Sequence, residues 1–231
     1  MITDNNRIDF LISQFTNLEE QLLGCMEFIP FVDQNQQVIS PKFATIILEA
    51  CSLIESILKE ITNDKGIKYN FKKYAEVNEN SLELENTISL FLGSPPRFYQ
   101  PYEKWTKNIP DWWKSYNKLK HDRLNNYEFG TYETAILSLT GLHQLISKCR
   151  LFTDSLIKAG WFNPNGEFMV DLITSRISES GIPITPIACE SKLFVSPLNF
   201  NFATFEGGEP RIIEECDFSN RVKILLSMSG Y

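Results

Sequence analysis

Residues 40–62 read SPKFATIILEACSLIESILKEIT, and this segment decides the fold class of the chain. Ser40 is a suitable N-cap, and Pro41 stands at the first helical position, where its missing N–H costs nothing. Beyond it, apolar residues recur at steps of three and four, which predicts an amphipathic helix that buries one face. That face consists of Phe43, Ile46, Ile47, Ala50, Ile54, Ile57, Leu58 and Ile61. We expect the pattern to stop near Asn63, with Gly66 closing the segment.

Two further segments carry the same helical period. Residues 4–28 repeat apolar side chains at three- and four-residue steps and predict a long helix that ends before Pro30. Residues 131–160 start with Thr131 as an N-cap and predict another long helix, which ends at Gly160, a typical C′ residue. Helices of this length suit a bundle. We therefore predict a mainly α fold, an up-and-down helical bundle of four to five helices.

The other parts of the chain have weaker patterns. Residues 63–109 are predicted to be an elaboration of loops, a short helix or strands, because SLELENTISLF alternates only in part. From Trp161 onward, short β-rich segments are separated by Gly, Pro, Asn and Ser. We therefore assign residues 1–160 to the helical bundle and residues 161–231 to a small mixed or β-rich C-terminal appendage.

The bulk composition excludes several classes of protein. A hydrophobic fraction of 43% in 231 residues is enough for a core, and a net charge of -7 argues against a surface that binds nucleic acid or anionic lipid everywhere. No apolar run approaches the roughly 20 residues that cross a bilayer, and the N-terminal segment lacks the pattern of a secretory signal. These features predict a soluble cytoplasmic protein that does not contact a membrane.

The sequence contains no motif that is typical of a metal or cofactor site. The five cysteines are widely spaced and include no C-x-x-C pair, so neither a disulfide framework nor a thiolate zinc site is expected. The chain also lacks an H-E-x-x-H pair, a Gly-rich phosphate loop and a G-x-S-x-G elbow. We therefore expect no metal and no cofactor.

Residues 110–123, PDWWKSYNKLKHDR, concentrate the side chains that can do chemistry. The stretch holds two of the four tryptophans and one of only two histidines. Pro110 is placed to start a third helix, which we expect to end around residues 125–126. From Arg97 to Arg123 the chain carries seven cations against three anions, a net charge of +4 in an acidic protein. Such a basic island favours contact with a phosphate or an RNA backbone.

Helical spacing predicts which of these side chains share a face. Residues four apart lie on one side of a helix, which aligns Trp113, Asn117, His121 and Leu124. Asn117 is then placed to fix the tautomer of His121, and a histidine ringed by cations can act as general acid or base on a phosphodiester. The RNA contacts predicted for this helix are Lys114, Lys118, Lys120 and Arg123 for phosphates, with Tyr116 and Trp113, beside Trp112, for bases.

A structural interpretation accounts for the same residues. Tryptophans at the start of a helix are commonly core or interface anchors, and lysines along a helix commonly form its solvated face. A lone histidine near a helix C-terminus is often structural, because the helix dipole favours its charged form. The second histidine, His143, has no partner at a useful spacing and is predicted to be structural or exposed. Spacing alone leaves both interpretations of residues 110–123 open.

The segment YNKLKH, Tyr116–His121, resembles the R-N-x-x-x-H motif of the HEPN superfamily (higher eukaryotes and prokaryotes nucleotide-binding domains). The longer run WWKSYNKLKHDR, followed by AILSLTGLHQLI, is similar to a group of uncharacterised bacterial HEPN-like proteins. The resemblance covers mainly residues 102–152. It implies a bundle of four or five helices that forms a homodimer, in which two copies of the motif face a shared cleft.

The resemblance also implies an activity. Active members of this superfamily cleave RNA without a metal, through attack of the ribose 2′-OH on the adjacent phosphate, and many belong to toxin–antitoxin and antiphage systems. Matched by position, His121 takes the catalytic acid/base role and Asn117 orients it. Tyr116 stands where the motif has arginine, and tyrosine lacks the bidentate fork that arginine offers to phosphate.

Three functions therefore stay open at the level of sequence. The first is a HEPN-like homodimer that binds RNA or cleaves it as a metal-independent endoribonuclease, in a bacterial stress or defence setting. The second is a catalytically silent interaction or assembly module, with a partner protein from a neighbouring gene as one expected ligand. The third is a small-nucleotide binder that uses the same residues.

Overall fold

The computed structural model describes residues 5–62, 70–161, 188–197, 203–206 and 209–212. Helices predominate in these ranges, which confirms the mainly α fold class. The helices are α1 (Asn5–Met26), α2 (Pro41–Ile61), α3 (Phe71–Leu82), α4 (Asp111–His121), α5 (Tyr132–Lys148) and α6 (Thr153–Lys158). None of the described helices is both long enough and apolar enough to cross a membrane.

A small antiparallel sheet accompanies the helices. Its strands are β1 (Ser89–Phe91), β2 (Arg97–Tyr99), β3 (Ala188–Glu190) and β4 (Phe194–Pro197), in the order β2-β1-β4-β3. Two further strands, β5 (Ala203–Glu206) and β6 (Glu209–Ile212), pair only with each other among the described residues. Because Leu90 pairs with Val195 and Phe91 with Phe194, the β3–β4 hairpin completes a sheet that begins within residues 63–109.

α2 and α5 form the centre of the helical core, with α1 and α4 packed beside them. The predicted start of α2 is confirmed, since the Ser40 hydroxyl accepts a hydrogen bond from the backbone N–H of Lys42 at 3.2 Å. Nearly all of the predicted apolar face of α2 is buried, and Phe43 stacks on Tyr132 of α5 with ring centroids 4.6 Å apart. The periodic apolar pattern therefore identified the helix and its buried side correctly.

The predicted helix over residues 131–160 is wrong in its continuity, because it is interrupted at residues 149–152, whereas Gly160 follows α6 with the positive φ, 73°, of a C′ residue. It begins as expected, with the Thr131 hydroxyl accepting from the N–H of Thr134, but α5 ends at Lys148. Cys149 adopts an extended backbone, and a 3₁₀ turn at Arg150–Phe152 leads into α6, which packs against α1. The turn redirects the chain but keeps Phe152 buried. The apolar residues therefore keep their helical spacing across the turn, and the spacing alone does not reveal that the helix is interrupted.

The third predicted helix is also shorter than expected. α4 ends at His121, because Asp122 leaves the helical conformation and its carboxylate accepts hydrogen bonds from the backbone N–H and the side-chain amide of Asn125. A side-chain acceptor that binds the backbone N–H three residues later in the chain favours a turn over a helix. Leu124, which was predicted to lie on one helix face with His121, therefore stands outside α4.

The predicted elaboration between α2 and α4 resolves into α3 and the first two strands. The Asn70 side chain caps α3 by accepting from the N–H of Lys73 at 2.9 Å. Of the partly alternating stretch SLELENTISLF, only β1 is a strand, because its first residues complete α3 and Leu84–Asn86 forms a 3₁₀ turn. The following connection is anchored by the buried side chains of Tyr102 and Trp105.

Candidate functional site

α4 divides the residues of the predicted site between two faces. Trp112, Trp113, Tyr116 and Leu119 are buried, whereas Lys114, Lys118, Lys120 and His121 are exposed and Asn117 is half-buried. Lys114, Lys118 and His121 follow the spacing i, i+4, i+7, so they lie along one side of the helix. We call Lys114, Asn117, Lys118 and His121 the α4 stripe. α4 contains Trp113, Asn117 and His121 as the spacing predicts, but Trp113 is buried and is not accessible beside His121.

The tryptophans of α4 anchor the helix to its neighbours. The Trp113 ring stacks on Phe71 of α3 with centroids 4.1 Å apart, and the Trp112 indole N–H donates to the carbonyl of Pro101 at 2.7 Å. Trp112 also meets Tyr102 edge to face. These rings are packed within the protein, so neither presents a face to a nucleic-acid base in this conformation.

Tyr116 occupies the arginine place of the motif and is held by a carboxylate from α2. Its hydroxyl donates to Glu55 Oε2 at 3.1 Å, and Lys120 Nζ lies 3.0 Å from the same oxygen. Lys59 Nζ lies 2.8 Å from the other oxygen, Oε1. We call Glu55, Lys59, Tyr116 and Lys120 the Glu55 cluster. It joins α4 to α2 and commits Tyr116 and Lys120 to an internal carboxylate.

The ionisation of Glu55 fits this role. Burial on its own would raise the pKa of Glu55, but hydrogen bonds and charges from Lys59 and Lys120 outweigh it and lower the pKa to about 2. The carboxylate is therefore ionised at neutral pH and balances charge on both lysines. Glu55 was not predicted as a site residue, since its contact with Tyr116 spans 61 residues. The one local signal was Lys59, four residues further along the same helix.

Asn117 and His121 remain accessible to a ligand. His121 is exposed and Asn117 is half-buried. Within the part of the chain that the structure describes, no hydrogen bond joins the two side chains. The predicted role of Asn117 in orienting the imidazole therefore stays a prediction.

The remaining predicted cations are exposed and weakly engaged. Lys114 Nζ lies 2.8 Å from a carboxylate oxygen of Asp111, and Lys118 Nζ lies 3.7 Å above the ring of Phe129. Arg123 is exposed in the turn that follows α4. Exposed ion pairs contribute only about 0–1 kcal/mol, so Lys114 can exchange its carboxylate partner for a phosphate at little cost.

The second histidine belongs to a buried cluster formed by α5, β3 and β4. His143 Nδ1 lies 2.7 Å from the Ser196 hydroxyl, and its Nε2 lies 3.9 Å from Cys189 Sγ. Burial lowers the pKa of His143 to about 3 and raises the pKa of Cys189, so both groups are neutral at pH 7. A cysteine nucleophile needs a thiolate and access to substrate, and this pair has neither. The structural alternative for His143 therefore describes it best: it ties α5 to β3 and β4.

Among the described residues, no three His, Cys, Asp or Glu side chains are grouped closely enough to hold a metal ion. Comparisons with models of protein families, with curated proteins and with solved structures gave no match to this chain. The resemblance to the HEPN superfamily therefore depends on the sequence of residues 102–152 alone, above all on Tyr116–His121.

Proposed function

We propose that this protein binds RNA through the α4 stripe, as a HEPN-like homodimer in a bacterial stress or defence setting. The observation that supports binding is the sorting of α4: its aromatic side chains are buried, while Lys114, Lys118 and His121 share the exposed side. A basic face on an acidic protein attracts phosphates locally without making the whole surface adhesive. In a homodimer, two copies of the stripe would double the number of phosphate contacts.

Cleavage of the bound RNA is the second candidate. In a metal-free reaction a base removes the proton of the 2′-OH, the oxygen attacks the adjacent phosphorus, and an acid protonates the departing 5′-oxygen. A single His121 cannot supply both groups at the same time, whereas two copies facing one cleft can. This mechanism lacks a group that stabilises the negative charge developing on the phosphate. Tyr116 donates its hydroxyl to Glu55, and it cannot replace the bidentate guanidinium of the motif arginine.

Binding is tested with a charge-removal variant and a matched control. Lys114→Gln, Lys118→Gln and Arg123→Gln together remove three charges at the α4 end of the bundle. Arg7→Gln, Lys42→Gln and Lys72→Gln together remove three exposed charges elsewhere. Fluorescence anisotropy with a labelled single-stranded RNA, measured across a salt series, gives the affinity and its dependence on salt.

We expect the first variant to bind more weakly and its slope of log K against log salt to shrink by about 2, since each phosphate contact to a single strand contributes roughly 0.7. The control variant should keep the slope of the wild type. Equal losses in both variants would show that general charge, and not the α4 stripe, governs binding.

Cleavage is tested by incubating wild type and His121→Ala with total tRNA and short RNAs in EDTA. Cleavage that disappears in His121→Ala supports the acid/base role. Equal cleavage by both proteins rejects it, and binding without cleavage by the wild type leaves a silent RNA-binding protein. Light scattering at micromolar concentration checks the homodimer, which a monomer mass would contradict.

The silent interaction module remains the alternative to RNA binding, and one observation favours it. Tyr116, at the place where cleavage needs arginine, is part of the structural Glu55 cluster. If the wild-type protein binds no RNA at low salt, the interaction module is the alternative that remains. An affinity capture with the product of a neighbouring gene would then test it.

A further inference from the structure

Lys120 differs from the other lysines of α4 in the groups that hold it. Its Nζ lies 3.0 Å from Glu55 Oε2 on α2, and it stands over the Tyr116 ring, 5.2 Å from the centroid. Tyr116 donates its hydroxyl to the same carboxylate oxygen at 3.1 Å. The ammonium group is therefore held by an anion and by the face of an aromatic ring, and both attract a cation.

A comparison with Lys114 shows how firmly Lys120 is held. The two lysine side chains are similarly exposed, but that of Asp111, the partner of Lys114, is 94% exposed, and that of Glu55 is 26% exposed. A carboxylate in solvent that loses its lysine is solvated by water, whereas Glu55 would keep its charge where water reaches it less well. Lys114 therefore exchanges its partner for a phosphate more readily than Lys120 does.

The pair of Glu55 and Lys120 borders the α4 stripe. Lys120 follows Asn117 by three residues and directly precedes His121, so its side chain lies beside theirs on the helix surface. The same border contains Tyr116, at the arginine place of the motif, and faces α2 through Glu55. A carboxylate in this position repels phosphate and also binds the lysine that would attract it.

We propose that Glu55 limits the RNA affinity of the α4 stripe by withholding Lys120 from phosphate. This inference rests on the proposed function and assigns to it an affinity-determining residue that does not touch the RNA. Glu55 is shared by Lys59 and Lys120, so the three side chains carry one net positive charge. In Glu55→Gln they carry two, while the amide oxygen still offers an acceptor to the Tyr116 hydroxyl.

The test is a double-mutant cycle of wild type, Glu55→Gln, Lys120→Gln and the double variant. Fluorescence anisotropy with the labelled single-stranded RNA, across a salt series, measures the affinity of each. We expect Glu55→Gln to bind about 5-fold more tightly at about 0.1 M salt and its slope of log K against log salt to grow by about 0.7, the contribution of one phosphate contact. Adding Lys120→Gln should remove this gain.

Glu49→Gln is the matched control, because it removes an exposed carboxylate from the same helix outside the Glu55 cluster. Its affinity and salt slope should stay at the wild-type values. A gain as large as that of Glu55→Gln would show that net charge alone sets the affinity, and it would overturn the proposal. Far-UV circular dichroism checks that each variant is folded before its binding is measured.

The outcomes separate this inference from the proposed function. If neither the wild type nor Glu55→Gln binds RNA, RNA binding itself is rejected. If the wild type binds but Glu55→Gln binds no more tightly, or keeps its gain after Lys120→Gln is added, only the role of Glu55 is overturned. In the wild-type background, a loss of about 0.7 from the slope in Lys120→Gln would show that Lys120 already contacts phosphate. That result would overturn the role of Glu55 even if Glu55→Gln did not fold.

Discussion

The Tyr116 hydroxyl lies 3.1 Å from Glu55 Oε2, so the residue at the arginine place of the motif joins α4 to α2. The Tyr116 ring is buried and packs against Trp113, with centroids 5.0 Å apart. Lys120 is bound to the same carboxylate oxygen and lies over the Tyr116 ring. Position 116 thus serves the packing of the helix, and the proposed RNA contacts are confined to the exposed side of α4.

Tyr116→Phe is expected to lower the free energy of unfolding by about 1–2 kcal/mol, since it removes a hydrogen bond to a charged acceptor and leaves the ring in place. Urea denaturation at pH 7 measures the change. RNA affinity should stay at the wild-type value, because the α4 stripe is untouched. Tyr127→Phe is the matched control, with an expected change within about 0.5 kcal/mol, because its hydroxyl stands on an exposed side chain. Loss of RNA binding without loss of stability in Tyr116→Phe would assign Tyr116 to the ligand.

Glu55→Gln is expected to remove stability that depends on pH. The pKa of Glu55 is lowered to about 2 in the folded protein, against an ordinary 4.5, so its contribution is present above pH 4.5 and is lost as the pH falls toward 2. We expect Glu55→Gln to be about 1–2 kcal/mol less stable than wild type at pH 7, after allowance for solvent screening of a partly exposed group. At pH 2.5, close to the folded pKa, the difference should fall to roughly a quarter of its value at pH 7.

Glu49→Gln supplies the control for this pH series, since Glu49 is exposed on the same helix. Its unfolding free energy should follow the wild type at both pH values. A difference between wild type and Glu55→Gln that is constant from pH 7 to pH 2.5 would contradict an ionised Glu55 clamp.

Local signals in the sequence were enough to predict most of the helices. The start of α2 depends on the adjacent residues Ser40 and Pro41, and its buried face depends on apolar residues that recur every three or four positions, so each signal is local in the sequence. The same local reasoning failed at Cys149, where apolar spacing continues although the backbone turns. It failed at Asp122 as well, where the side-chain carboxylate accepts from the backbone N–H of Asn125 and the helix ends.

The candidate site was predictable in composition but not in arrangement. Spacing could bring Asn117 and His121 together, yet it could not decide which side of α4 meets the core. That decision depends on Phe71, which stacks on Trp113, and on Glu55, which binds Tyr116 from 61 residues away. Contacts at such separations leave no periodic trace, and the pairing of β1 with β4 is missed for the same reason.

His143 is expected to make the protein sensitive to mild acid. Its folded pKa is lowered to about 3 by burial, against an ordinary 6.5, so protonation favours the unfolded chain as the pH falls below 6.5. At pH 7.5 the imidazole is neutral in both the folded and the unfolded protein, so it does not change the free energy of unfolding. At pH 5 it lowers the free energy of unfolding by about 2 kcal/mol relative to a residue that does not titrate. The pKa of the buried Glu19 on α1 is raised by its own burial, so the wild-type profile contains an opposing slope.

The comparison of wild type with His143→Leu isolates the histidine from Glu19, which is present in both. Leucine removes the titrating group, and Ser196 keeps its hydrogen bond with Ser89 at 2.5 Å. Urea denaturation at pH 7.5 and at pH 5 should show the wild type losing about 2 kcal/mol relative to His143→Leu between the two values. Parallel profiles would mean that the imidazole is already accessible to protons in the folded protein.

The thiols provide the last test, because Cys189 lies beside His143 and three of the described cysteines are in the core. Cys51, Cys149 and Cys189 are buried, and burial raises the pKa of each, that of Cys149 to about 11. Cys25 is only partly buried, although burial raises the pKa of its thiol too. Only a thiolate reacts readily with a disulfide reagent, so the three buried thiols should stay unmodified in the folded protein at pH 8.

A Cys216→Ser background keeps this measurement to the four cysteines whose surroundings are described. In that background we expect no more than one thiol to react within minutes in buffer and four to react in urea. Adding Cys25→Ser should abolish the reaction in buffer. Rapid modification of Cys189 in the folded protein would place the Cys189–His143 pair within reach of solvent, and the nucleophilic chemistry that burial argues against would then need to be assayed directly.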